Sequence, residues 1–282
     1  MKAVDFAVQS LRPLCVEDVG GKECLQVVLH CERLALQLQQ PALSDVVVQA
    51  IHLHDKIPVL VENLLVMEVW KRFVLRPFGM DEKGTPTTTT TTAPTTAPTT
   101  TAATLASRLG ENKNAIRCRF LLNFESTLVV LLNAALPDSL SRVKEGTIVG
   151  IIDYCARCMD TLLDRNDEVC VFQRQQQTLE VASGGLGDIQ IAYCESSFRS
   201  CVAASTVLAR NIFESLESLS EPIQDRVLHV HQFGMKTVSL LEDPPWTRKT
   251  DPSTNKAHKW EKFVDNQWTT VLTRDVLTLV SS

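Results

Sequence analysis

Apolar side chains recur along most of this chain every three to four residues, the spacing of one helix face, and not every second residue as a half-buried strand requires. Pro58 suits a first helical turn, where its missing N–H is not needed. Beyond it Val61, Leu64, Leu65, Val69, Phe73 and Val74 fall on one stripe, with Glu62, Asn63, Lys71 and Arg72 largely opposite. From Ala115 to Leu136 the pattern returns through Ile116, Phe120, Phe124, Leu128, Leu131 and Leu132. Pro137 stops it, and Asp138 and Ser139 are able to cap a successor. The return arm of this helical hairpin carries Val143, Ile148, Ile151, Ile152, Cys155, Met159, Leu162 and Leu163. Gly146 and Gly150 weaken its first half by up to about 1 kcal/mol each.

A long helix is expected from Asp188 to about Leu219, presenting Phe198, Cys201, Val202, Leu208, Ile212, Phe213 and Leu216. Ser220 before Pro222 starts a shorter one through Val227 and Val230. After Gly234 the run MKTVSLLE makes one more, closed by Pro244 and Pro245. Only near the end does the pattern change. Lys262 to Val264 and Gln267 to Val271 are short strand-like runs separated by Asp265 and Asn266, which tolerate a left-handed backbone, so a small β-hairpin is expected there.

Two stretches interrupt the helices. Residues from about Thr85 to Thr104 are almost entirely Thr, Ala and Pro, a composition that buries too little apolar surface to offset its ordering entropy, so 83–106 reads as a disordered insert. A mucin-like glycosylated stalk would need a secretory signal, and the opening MKAVDFAVQSLRPL breaks its apolar residues with Asp5, Gln9 and Arg12. The second break, from about Gln173 to Asp188, passes from a Gln run into Ser183, Gly184, Gly185 and Gly187 and reads as a loop. The expected fold is all-α, an armadillo-like α-solenoid or an irregular helical bundle with a small C-terminal β-hairpin. Its parts are an N-terminal helical segment (1–82), the insert (83–106) and a helical repeat-like region ending in the hairpin (107–282) that packs with 1–82 as one domain.

Composition narrows the function classes. The 282 residues are 44% hydrophobic, enough for a sizeable core, and the net charge of −5 offers no clustered Lys and Arg to face a phosphate backbone. Nucleic acid is therefore not an expected partner. No stretch approaches about 20 uninterrupted apolar residues, so no membrane association is expected and the protein reads as cytoplasmic.

The nine cysteines are scattered among helical segments without paired spacing and read as small hydrophobes in a reducing compartment. Cys155 and Cys158 form one CxxC. Zinc needs four ligands, and a redox pair needs a helix N-terminus to lower its thiol pKa, whereas this pair lies inside the apolar stripe of IIDYCARCMDTLL. His52 and His54 stand two apart and point away from each other on a helix, as do His229 and His231, so they read as surface or boundary residues. The run Gly184 to Gly187 has neither a preceding strand nor a following Lys with Ser or Thr, which argues against a phosphate cradle. Trp246, Trp260 and Trp268 with Arg248, Lys249 and Lys259 make an aromatic and basic cluster, read either as a binding hot spot or as ordinary packing of the hairpin. Nothing in these arrangements assembles a nucleophile, a base and an orienting group, so an enzyme is not expected.

Three blocks resemble a known family. The first is His54-Asp55-Lys56-Ile57-Pro58-Val59-Leu60-Val61-Glu62-Asn63-Leu64, continuing to Glu68-Val69-Trp70-Lys71. The second is Asp153-Tyr154-Cys155 with Arg157 and Leu162-Leu163. The third is Leu240-Leu241-Glu242 leading to Pro245-Trp246-Thr247-Arg248, followed by Phe263, Trp268 and Val271. Their order and spacing are similar to those of the MYND-type zinc-finger protein ten family, across most of the chain outside the Thr-rich insert. The resemblance implies a cytoplasmic adaptor for preassembly of axonemal dynein arms, concentrated near the ciliary or flagellar base. It further implies a leucine-rich-repeat assembly factor with a CS-type domain, Hsp90-class chaperone machinery and dynein heavy chains as partners. Members of the family continue to a Cys-rich MYND finger holding two zinc ions; the chain ends at Ser282 without it, so no zinc or other cofactor is expected here. The residues expected to meet partners are Trp70, Lys71, Trp246, Arg248 and Trp268. The competing reading is an α-solenoid interaction module unrelated to cilia, its concave face taking a peptide or helix.

Overall fold

Proline sets several of the helix starts. Pro41, Pro58 and Pro222 all sit in first turns, where the four leading N–H groups lack intrahelical acceptors anyway. The structure, a computed structural model, describes residues 2–75, 112–137, 139–164, 186–249, 260–264 and 267–271. The Thr-rich insert and the Gln-to-Gly loop up to residue 185 lie outside those residues.

The helices are α1 (Lys2–Gln9), α2 (Lys22–Leu38), α3 (Pro41–Leu53), α4 (Ile57–Val69), α5 (Asn112–Ala135), α6 (Glu145–Leu163), α7 (Leu186–Ala203), α8 (Glu221–Asp225) and α9 (Phe233–Glu242). Three of them run on into wide turns that bond five residues back. These are Trp70–Leu75 after α4, Ala204–Leu208 after α7 and Arg226–Val230 after α8. Beyond the second of these the helix resumes as Ala209–Glu214.

The helices stack in two layers. One layer is α2, α5 and α7; the other is α1 with α3, then α4, α6 and α9. Helix α5 lies against α2, α4 and α7, which explains why its apolar residues extend beyond a single stripe: Leu121, Phe124, Leu128, Val129, Leu131 and Leu132 are all buried. Phe120, expected on the stripe, is exposed instead. The stretch Cys118–Ala135 of this helix is long and apolar enough to cross a membrane, but here neighbouring helices cover most of its apolar surface. Most buried apolar residues between Val4 and Trp246 form one continuous cluster, and Cys118 and Leu122 form a small second one. Each fully buried aliphatic or Phe side chain contributes about 1.5–3 kcal/mol to such a core.

The expected hairpin is present as β2 (Trp260–Val264) and β3 (Gln267–Val271), antiparallel with Phe263 opposite Trp268. A third strand, β1 (Thr247–Lys249), adds to its free edge in the order β1-β2-β3. Its three residues, Thr247 to Lys249, are too few and too polar to show alternation, so the pattern could not announce this strand.

Two details of the hairpin between α5 and α6 depart from expectation. Ser139 caps backward, its hydroxyl donating to the Ala135 and Leu136 carbonyls at the end of α5, and Lys144 precedes α6 with no side-chain cap. Gly150 sits where α6 crosses α4 closely. A Cβ there would stand 3.3 Å from the Leu65 side chain, whereas one at Gly146 would meet nothing within 4 Å.

Candidate functional site

The spacing predicts Lys71 on the polar face of its helix, and the structure buries it instead. Leu60, Leu64, Met67 and Lys71 recur at four, three and four residues, and all are buried; Lys71 is only 3% exposed. The stripe facing the core is therefore rotated from the one read in the sequence. Val69 and Phe73, expected inside, are exposed, and Asn63, expected outside, is fully buried.

Asn63 and Lys71 both have partners from another helix or loop. The Asn63 side chain accepts a hydrogen bond from the Leu14 N–H (2.8 Å) and donates to the Arg12 carbonyl (3.0 Å), tying the loop after α1 to α4. Lys71 Nζ donates to Glu125 Oε2 of α5 at 2.5 Å and reaches Ser196 Oγ of α7 at 3.5 Å, with the Tyr193 ring centroid 5.9 Å away. The Tyr154 hydroxyl of α6 donates to the other Glu125 oxygen at 2.7 Å, and Ser196 Oγ donates to the Leu122 carbonyl. The Glu125 carboxylate of α5 thus joins α6 and the turn that extends α4, and α7 is tied in through Ser196 on Lys71 and Leu122. Burial, joined by the nearby Cys158 and Glu125, pushes the Tyr154 phenol well above its ordinary pKa, so it stays a neutral donor.

A second group of ion pairs gathers on the outer side of α6. Arg157 donates through Nε and Nη2 to both Glu68 oxygens at 2.6 Å, and Arg226 grips Asp153 in the same forked way at 2.6 and 2.7 Å. His231 Nε2 lies 2.8 Å from Asp153, and Lys236 Nζ 2.6 Å from Asp160. Burial works to raise the Asp153 carboxyl, but hydrogen bonds and charges from Arg226 and His231 outweigh it and hold the group below the usual aspartate range.

The remaining candidates are distributed as follows. Trp70 is half-buried at the edge of the core, packed beside Cys118 and Leu122. Trp246 is buried in the core, which removes it from the surface where a partner would find it. Arg248 pairs in register with Glu261 and Trp268 with Phe263; the roles expected of those two side chains lie outside the described residues. Cys155 and Cys158 are buried within α6. Burial raises both thiols, and for Cys158 a hydrogen bond with Cys201 adds to the effect, so neither resembles a reactive thiolate. Among the described residues no three His, Cys, Asp or Glu are placed to hold a metal ion. Two of the histidines contact other elements: His52 Nε2 lies 2.7 Å from the Ala135 carbonyl oxygen, and His54 Nε2 lies 2.7 Å from Asp5, while His229 is exposed.

Sequence reasoning missed Glu125 altogether and misplaced Lys71. A signal did exist for the second, since Lys71 falls four residues after Met67 on the Leu60–Leu64–Met67 repeat.

The fold and this arrangement define an all-α, two-layer helical protein whose charged and polar side chains join helices. No family model matches the chain, and no solved structure matches it.

Proposed function

We propose that this chain acts as a non-catalytic adaptor in the cytoplasmic preassembly of axonemal dynein arms, the role implied by its resemblance to the MYND-type zinc-finger protein ten family. One observation supports an adaptor over a reaction centre: the chemistry-bearing residues of the resembling blocks are committed to holding helices together. Glu68 of the first block grips Arg157 of the second, Lys71 reaches Glu125 beside Tyr154, and Trp246 of the third block lies in the core. What the stack offers outward is shaped surface. The partners by resemblance are a leucine-rich-repeat factor with a CS-type domain, Hsp90-class machinery and dynein heavy chains.

Deletion of the gene in a flagellated cell tests this directly. Electron microscopy should show doublets lacking outer arms, with inner arms lost or reduced, and normal arms would refute the proposal. Proximity labelling in the same cells should recover dynein subunits and assembly factors. Consistent recovery of a different client, with no dynein component, would favour the second reading, a helical interaction module outside the ciliary system.

A further inference from the structure

Helix α9 ends its layer and is apolar on two opposite sides. Phe233 and Leu240 turn inward to the core, while Met235, Val238 and Leu241, spaced three apart, face outward at 66%, 49% and 39% exposure. Leu228 and Val230, on the turn that packs beside α9, are exposed too. Between Glu217 and Glu242 the chain carries four acids, Glu217, Glu221, Asp225 and Glu242, all exposed and unpaired within the described residues. Its two fixed bases are committed elsewhere: Arg226 to Asp153 and Lys236 to Asp160 of α6. The charge left facing outward is negative.

We propose that the α8–α9 face docks an amphipathic helix of a partner protein, its apolar stripe on Met235, Val238 and Leu241 and its flanks carrying Lys or Arg. An apolar row at helical spacing fits helix-on-helix packing, and the exposed Glu242, four residues after Val238 and seven after Met235, supplies complementary charge on the same side of α9. A second copy of this chain is the poorer occupant, because pairing the face with itself would set acid against acid. The inference deepens the adaptor reading and rests on it for the existence of a protein partner.

The full chain can be titrated against a fluorescent peptide of about 18 residues, with Leu at helical i, i+3/i+4, i+7 spacing and Lys on the flanks. The control peptide carries Glu in place of Lys. Binding should favour the Lys peptide and should weaken at least about tenfold in Met235→Glu/Val238→Glu, whose exposed sites leave the helical signal and melting temperature unchanged. Glu242→Gln should lower the salt dependence of binding more than the affinity at high salt. No binding of the Lys peptide, equal binding of the Glu peptide, or indifference to the 235/238 change would overturn the proposal. Self-association abolished by Met235→Glu would assign the face to a second copy and overturn it as well. Normal dynein arms after gene deletion would refute the ciliary role while leaving this binding result to be judged separately.

Discussion

Replacing Lys71 by Met removes the ammonium that neutralises Glu125 while keeping the length of the side chain. Both partners are nearly inaccessible, with side-chain exposures of 4% and 7%, so solvent does little to screen the carboxylate left behind. Tyr154 would remain its one side-chain donor. Breaking a buried pair from one side costs about 3–5 kcal/mol, because an uncompensated charge stays in a poorly solvated place. For a chain of this size that corresponds to a fall of roughly 6–20 °C in melting temperature, taking about 2–4 °C per kcal/mol. Removing both charges in Lys71→Met/Glu125→Leu should recover much of the loss, because replacing a buried pair by apolar side chains of similar volume is often close to neutral. Some cost will remain, as the Tyr154 hydroxyl loses its acceptor. Urea unfolding of the full chain followed by circular dichroism, run on both single variants and the double, gives the coupling energy. A loss below about 1 kcal/mol in Lys71→Met, or a double variant as unstable as the sum of the singles, would refute the buried-pair argument.

Three further outcomes are expected. Because Asp153 is held below its unfolded value of about 3.9, its contribution is present above that pH and is lost as pH falls through the lower folded value; the stability gap between wild type and Asp153→Asn should therefore shrink from pH 7 to pH 3 in denaturant titrations. Iodoacetamide on the native chain should label the exposed Cys15 and spare Cys31, Cys155 and Cys158 until urea is added, as read by mass spectrometry; native labelling of Cys155 would contradict its burial. Gly146→Ala should stabilise α6 by about 0.5–1 kcal/mol, since the new methyl meets open space, while Gly150→Ala should give less because it crowds Leu65; equal gains would show that α4 and α6 do not approach closely there.

The second strand of the hairpin, the helical period of α5 to α9 and the starts marked by Pro58 and Pro222 were legible in the chain, because they depend on backbone geometry and on neighbours within a few residues. The same local rules read the α4 stripe one step out of phase. Periodicity says which residues share a face, but it does not say which face meets the core, and that choice was made by contacts 49 to 54 residues away, where Leu14 takes up Asn63 and Glu125 takes up Lys71.

Local pattern by itself determined an all-α protein with a small sheet near its end, since apolar spacing and turn residues act over short range. Only the tertiary structure decided that Lys71, Asn63 and Trp246 go inside while Val69, Phe73 and Met235 stay outside. The physical reason is that a buried polar group is tolerated only when a partner arrives to satisfy it, and those partners are assembled by the packing of distant helices.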